Sequence, residues 1–118
     1  MKKLFVLLSV FFSLTTQMAF GVFNNNGTIR SQDSKFTADV LNNNGTFEGI
    51  DSVWLKCDKL TGNGLIKGPK IKILADECEY EGEINCSVEC LLVTNTPTKN
   101  LKFNFVGEGN LIIRRNEE

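Results

Sequence analysis

Three carboxylates recur at nearly constant spacing in this chain of 118 residues: Asp39, Asp58 and Asp76, separated by 19 and 18 positions. If the chain repeats its path with that period, the three stand along one edge. Adjacent like charges then share a cation, with calcium the natural choice for hard oxygen ligands, or accept raised pKa values. The competing use is local, each Asp closing its own turn by accepting backbone N–H groups. On that view the run Asp76, Glu77, Glu79, Glu81, Glu83 is a solvated outer face. Asp39, Asp58 and Asp76 are therefore the candidate positions for weak calcium binding.

The four cysteines are spaced 21, 8 and 4 apart and lack paired C-x-x-C knuckles, which argues against a tetrathiolate metal site. Cys86 and Cys90 flank a corner and are the expected local disulfide, while Cys57 fits a small interior position and Cys78 stacks beneath Leu60. The chain has no His, which removes Ser-His-Asp and Cys-His catalysis and imidazole-ligated zinc. Uronide cleavage would need aligned carboxylates and a basic residue such as Arg30, Lys67, Lys70 or Lys72 in a long groove. We expect no catalytic residues and no cofactor. Trp54, the single tryptophan, is the candidate ligand contact, because an aromatic face stacks on sugars and cations. Its expected column is Lys35, Trp54, Lys72 and Cys90, all pointing outward.

The elements that position these residues follow from an internal repeat. Asn24-Asn25-Asn26-Gly27-Thr28 recurs as Asn42-Asn43-Asn44-Gly45-Thr46, and Gly27, Gly45, Gly64, Gly82 and Asn100 follow at intervals of 18, 19, 18 and 18. Two positions after the first four glycines stand Ile29, Phe47, Ile66 and Ile84, and two further on Ser31, Gly49, Gly68 and Cys86. A second phase-locked column runs Ala38, Cys57, Ala75, Val93, preceded at two residues by Phe36, Leu55, Ile73 and Leu91. The period-2 alternation predicts two short strands per repeat, and no helical period is present. A unit this short cannot bury its apolar face alone, so successive units must stack. The fold expected is all-β, a right-handed parallel β-helix (β-solenoid) of about four to five coils. Glycine at each corner would supply positive φ and close passage, and Asn26, Asn44 and Asn63 would stack their amides in a ladder. After Val93 the pattern loosens, and Leu101–Ile113 is expected as an irregular last coil with Lys102 at an interior site.

The recurring string, seen in Gly45-Thr46-Phe47-Glu48-Gly49 with Val53-Trp54-Leu55 and in Gly64-Leu65-Ile66-Lys67-Gly68 with Ile71-Lys72-Ile73, resembles the bactofilins. These are polymer-forming bacterial proteins with a right-handed parallel β-helical core. The resemblance covers Gly27 to Val93 and implies end-to-end polymerisation through the terminal coils, with no nucleotide or metal required. Exported β-helices of the filamentous-haemagglutinin and polysaccharide-lyase kinds share the architecture. No site residue is carried over from either group.

Met1-Lys2-Lys3 followed by the apolar run Leu4–Leu14 predicts a secretory signal, residues 1–21, cleaved after Gly21 or after Ala19. An apolar run this short does not span a bilayer, so no transmembrane anchor is expected after cleavage. The expected division is then 22–113 for the solenoid and 114–118 for a polar tail. Removing Lys2 and Lys3 from 13 basic residues leaves 11 against 14 acidic ones, a charge of −3 that argues against nucleic acid as a partner. The function expected is structural and non-catalytic, at the cell surface, in the periplasm or secreted. The partner is a second copy joined end to end, and the alternative is an adhesin-like module binding a glycan or envelope component through Trp54.

Overall fold

The computed structural model describes residues 21–115 together with the backbone of residues 16–18. The expected signal segment thus lies mostly outside the described residues, as do residues 116–118. The strands are β1 (Thr16–Met18), β2 (Val22–Asn25), β3 (Thr28–Asn43), β4 (Thr46–Thr61), β5 (Leu65–Cys78), β6 (Glu83–Val93), β7 (Asn104–Val106) and β8 (Asn110–Arg114). Every pairing is parallel: β3 on β4, β4 on β5, β5 on β6, with β1 and β2 on the outer edge of β3 and β7 and β8 on that of β6. The chain is a parallel β-solenoid of about five turns.

Three straight runs, rather than two, make up each turn. In β4 the buried positions are Phe47 and Gly49, then Val53, Leu55 and Cys57, then Leu60. At Ile50-Asp51 the alternation skips one inward position, leaving Asp51 exposed, and at Asp58-Lys59 inward parity changes; a corner at each place is what keeps the apolar side chains inside. β3 and β5 turn at the equivalent places, with one residue fewer at the first corner, so inward parity changes there from Ser31 to Ser34 and from Gly68 to Ile71. β8 extends to Arg114, one residue into the expected tail.

The glycine ladder serves close passage, not positive φ. A Cβ on Gly45 would strike the carbonyl oxygen of Gly27, one on Gly64 that of Gly45, and one on Gly82 that of Gly64. The glycines in left-handed backbone are instead Gly21, Gly62 and Gly107, with φ of 85°, 113° and 107°. Each step is closed by a backbone bond across the corner, from Thr46 N–H to Gly27 C=O and from Glu83 N–H to Gly64 C=O, at 2.8 and 2.9 Å.

Register matches the repeat up to Cys86 and then slips by one. Gly68 pairs with Cys86, but Lys70 pairs with Glu89, because the corner holding only Pro69 in one turn holds Ser87-Val88 in the next. The interior columns therefore read Phe36, Leu55, Ile73, Leu92 and, by the same register, Ala38, Cys57, Ala75, Thr94, not Leu91 and Val93. The last coil slips further. Asn104 N–H donates to Gly82 C=O at 2.8 Å, so Phe103, not Asn100, continues the glycine ladder. Phe105, not Lys102, lies under Ile84. Pro97 and a 3₁₀ turn over Thr98–Asn100 absorb the extra residues.

The core is a stack of these columns, with Phe47, Leu55, Leu60, Ile66, Ile73, Ile84 and Leu92 fully buried. At the first turns three rings meet, Phe23 5.1 Å from Phe36 and Phe36 edge-on to Phe47 at 5.0 Å. Such pairs add about 0.5–1.5 kcal/mol each beyond area burial. The buried amide ladder is Asn25 to Asn43, 2.9 Å apart, not Asn26, Asn44 and Asn63. Asn25 and Asn43 turn their Oδ1 atoms to the N–H of Gly27 and Gly45, tying the ladder to the corner that follows.

Candidate functional site

The carboxylate column exists as a register: Ala38 pairs with Cys57 and Cys57 with Ala75, which places Asp39, Asp58 and Asp76 one per turn, all exposed. Asp39 accepts the N–H of Gly21 at 3.1 Å, a bond to the neighbouring coil 18 residues earlier and not to its own turn. Among the described residues no three acidic or thiol groups converge in an arrangement that could hold a metal ion. Asp76 also borders an open groove of about 810 Å³ between Asp76–Glu81 and the loop carrying Lys99 and Lys102. Carboxylates and ammonium groups face each other across it. Lys59 and Glu79 form an ion pair at 3.6 Å on the neighbouring surface, which at that exposure contributes little to stability.

All four cysteines are buried free thiols. Cys90 points inward, in column with Val53 and Ile71, because the two-residue corner Ser87-Val88 shifts its parity; the outward place beside Lys72 belongs to Leu91. Cys86 Sγ–H donates to the Pro69 carbonyl at 3.3 Å. Burial pushes the Cys57 thiol up to about 12, helped by the nearby Cys78, and pushes Cys90 to about 12, helped by Cys86. Burial also raises Cys78. Thiols held protonated in this way are neither nucleophiles nor metal ligands near neutral pH.

Trp54 stands in register between Lys35 and Lys72 on the outer face of the second run, as its spacing predicts. The Lys35 ammonium lies 4.9 Å from the ring centroid, so one face of the indole already holds a cation. The same outer column continues with Leu91 and Ile112. Beside it runs Thr37, Lys56, Leu74, Val93 and Arg114, and on its other flank Asp33, Ser52, Lys70, Glu89 and Asn110. Sequence reasoning missed the lower half of this face, since the slip at Val88 moves Leu91 and Val93 from interior to exterior. Two adjacent corner residues where the preceding turn has one, Pro69, is the only signal, and it is legible only once the pairing is known.

The end of the rod is the second feature that the repeat alone did not locate. Leu101, Phe103, Phe105, Leu111 and Ile113 pack on the core while remaining partly exposed. β7 and β8 pair only with β6, which leaves their far edges open among the described strands. No helix of the described residues is long and apolar enough to cross a membrane. Comparison with protein-family models, with curated proteins and with solved structures returns no match for this chain.

Proposed function

We propose that this chain is an exported, non-catalytic structural solenoid of bactofilin-like character that joins copies of itself end to end. The observation that carries the reading is the last coil: five half-covered apolar side chains beneath two strands with open edges. An uncovered parallel edge templates another strand, and natural solenoids close such ends with polar caps. At the opposite end Ile29 is likewise only partly buried, at the head of the column that Phe105 ends. Head-to-tail addition would set Phe105 of one copy against Ile29 of the next and continue that column across the joint. A heterologous contact of this kind does not close on itself and yields an open filament.

The test is sedimentation velocity across protein concentration with negative-stain microscopy, on the native chain and on Phe105→Lys, with circular dichroism as the check that the variant keeps its sheet. Growth of the native chain into end-joined species, absent in a folded Phe105→Lys variant, supports the reading. A native chain that stays monomeric at every concentration overturns it.

A further inference from the structure

Two strands of this chain stand at the same place in the repeat. β8 ends the columns of the second run: Ile112 follows Lys35, Trp54, Lys72 and Leu91, and Ile113 follows Phe36, Leu55, Ile73 and Leu92. β1 heads those same columns, with Thr16 on Lys35, Gln17 on Phe36 and Met18 on Thr37. A following copy that continues the solenoid presents its own Lys35, Phe36 and Thr37 to Ile112, Ile113 and Arg114 of the copy before. Its β1 already fills those three positions. The other two runs meet no such conflict among the described strands. Nothing covers residues 28–31 at the head, where β7 of the copy before would pair. On the third run, where β2 sits on residues 40–43, the last coil has no described strand to collide with it.

We propose that β1 is a removable block: while it is attached, the head of the solenoid does not receive β8 of another copy, and cutting the chain between β1 and β2 opens it. The inference rests on the end-to-end reading above and names what regulates that joint. The cut expected after Ala19 or Gly21 falls, at either position, beyond Met18 and before Val22. Cleavage thus takes away the strand that obstructs the joint and keeps β2, which the joint accommodates. Before the cut β1 competes from within the same chain, at an effective concentration on the order of mM. A second copy at micromolar concentration does not displace it. β1 also sets Gln17 at the head of a column whose other members, Phe36 through Ile113, are all apolar. A polar residue at that place is how solenoid ends are closed. After the cut, the edge at Lys35, Phe36 and Thr37 is open to β8 in the register of the repeat. Copies therefore do not join until they have been processed.

The full chain is expressed with export and compared with Ala19→Arg, which sets a large cation at a small-residue position of either cut and so keeps the leader in place. Intact mass identifies each form. Both also carry Lys35→Cys/Ile112→Cys, exposed positions that the joint brings into register about 4.8 Å apart, within disulfide reach. The four native thiols are buried, and the chain without added cysteines is the blank. In matched detergent under mild oxidation, the processed chain is expected to give a disulfide-linked ladder beyond the dimer and the Ala19→Arg chain none. Adding Thr16→Pro/Gln17→Pro to Ala19→Arg takes away the strand N–H that β1 gives to β3, and is expected to restore the ladder with the leader still attached. Failure to restore it would mean that the leader's bulk, not β1, blocks the joint, and overturns the proposal. So does equal cross-linking of the exported and Ala19→Arg chains, or an exported chain that keeps residues 1–21 and still cross-links; both leave end-to-end joining standing. A processed chain that grows in sedimentation without this ladder joins in another register, which also overturns the proposal. A processed chain that neither cross-links nor grows overturns the end-to-end reading itself.

Discussion

The Asn43 side-chain amide donates to the Tyr80 hydroxyl at 3.1 Å, although the two residues lie two turns apart. The bond is made through the turn between them, where Gly62 stacks against the Asn43 backbone and contributes no side chain. Tyr80 is itself fully buried. The remaining Asn43 amide hydrogen reaches the Leu65 carbonyl at 3.1 Å. One buried polar ladder thus changes from asparagine to tyrosine without an unsatisfied atom, and among the described residues no buried side-chain nitrogen or oxygen lacks a partner.

Tyr80→Phe removes the acceptor and leaves an Asn43 N–H unpaired inside the solenoid. The expected loss is about 1–3 kcal/mol in urea denaturation. Tyr80→Ala also opens a cavity in the core and is expected to cost about 3–5 kcal/mol, as other buried aromatic truncations do. Equal losses for the two variants would mean that the ring contributes nothing beyond its hydroxyl.

Adding one methyl group at different levels of the glycine ladder separates close passage from flexibility. Gly27→Ala meets nothing within 4 Å, whereas Gly64→Ala drives its Cβ into the Gly45 carbonyl. The first variant is expected to lie within about 0.5 kcal/mol of the native chain, as surface changes do, and the second to lose about 2 kcal/mol or more. Thermal denaturation of the pair, side by side, decides the point.

Stability is expected to fall at alkaline pH. Cys57 and Cys90 have folded values near 12 against an ordinary 9.0, so in the unfolded chain they release protons that the folded chain still holds. Their contribution is complete below pH 9 and is lost as pH rises from 9 towards 12. Burial raises Tyr80 as well, which adds to the loss in the same direction. Urea midpoints measured between pH 7 and 11 should decline above 9, and the native chain should resist thiol alkylation at neutral pH until it is unfolded.

Calcium is expected to leave the melting temperature unchanged. Asp39 spends its carboxylate on Gly21 N–H, and no third acidic or thiol ligand converges on the column among the described residues. A melting temperature that rises with millimolar calcium and falls again with chelator would restore Asp39, Asp58 and Asp76 as a cation site.

The solenoid was legible because its interior is strictly periodic. Gly27 through Gly82, Ile29 through Ile84 and Ser31 through Cys86 fall in the columns that the 18- and 19-residue spacing implies. The errors all trace to corners. Corner length varies between Gln32 or Pro69 alone and the pairs Ile50-Asp51 and Ser87-Val88, and each change moves everything after it by one residue. Cys90 was thereby assigned to the outside and Leu91 to the inside, the reverse of what burial requires. Asparagine before glycine draws the eye to the turn, yet it is the residue one place earlier, in Asn25 and Asn43, whose parity points inward. The Trp54 column with Lys35 and Lys72 was correct, and its extension through Leu91 to Ile112 was hidden by that same slip.

The variable corners carry a consequence for how such a chain changes over generations. A residue gained or lost at Pro69 or Ser87-Val88 alters the outline of one turn while every interior column resumes its place in the next. Changes at these points are absorbed where they occur, whereas loss of the turn that carries Gly62 would break the Asn43–Tyr80 bond that passes through it. The outline of the solenoid is therefore free to vary at its corners, while its interior columns are held in step.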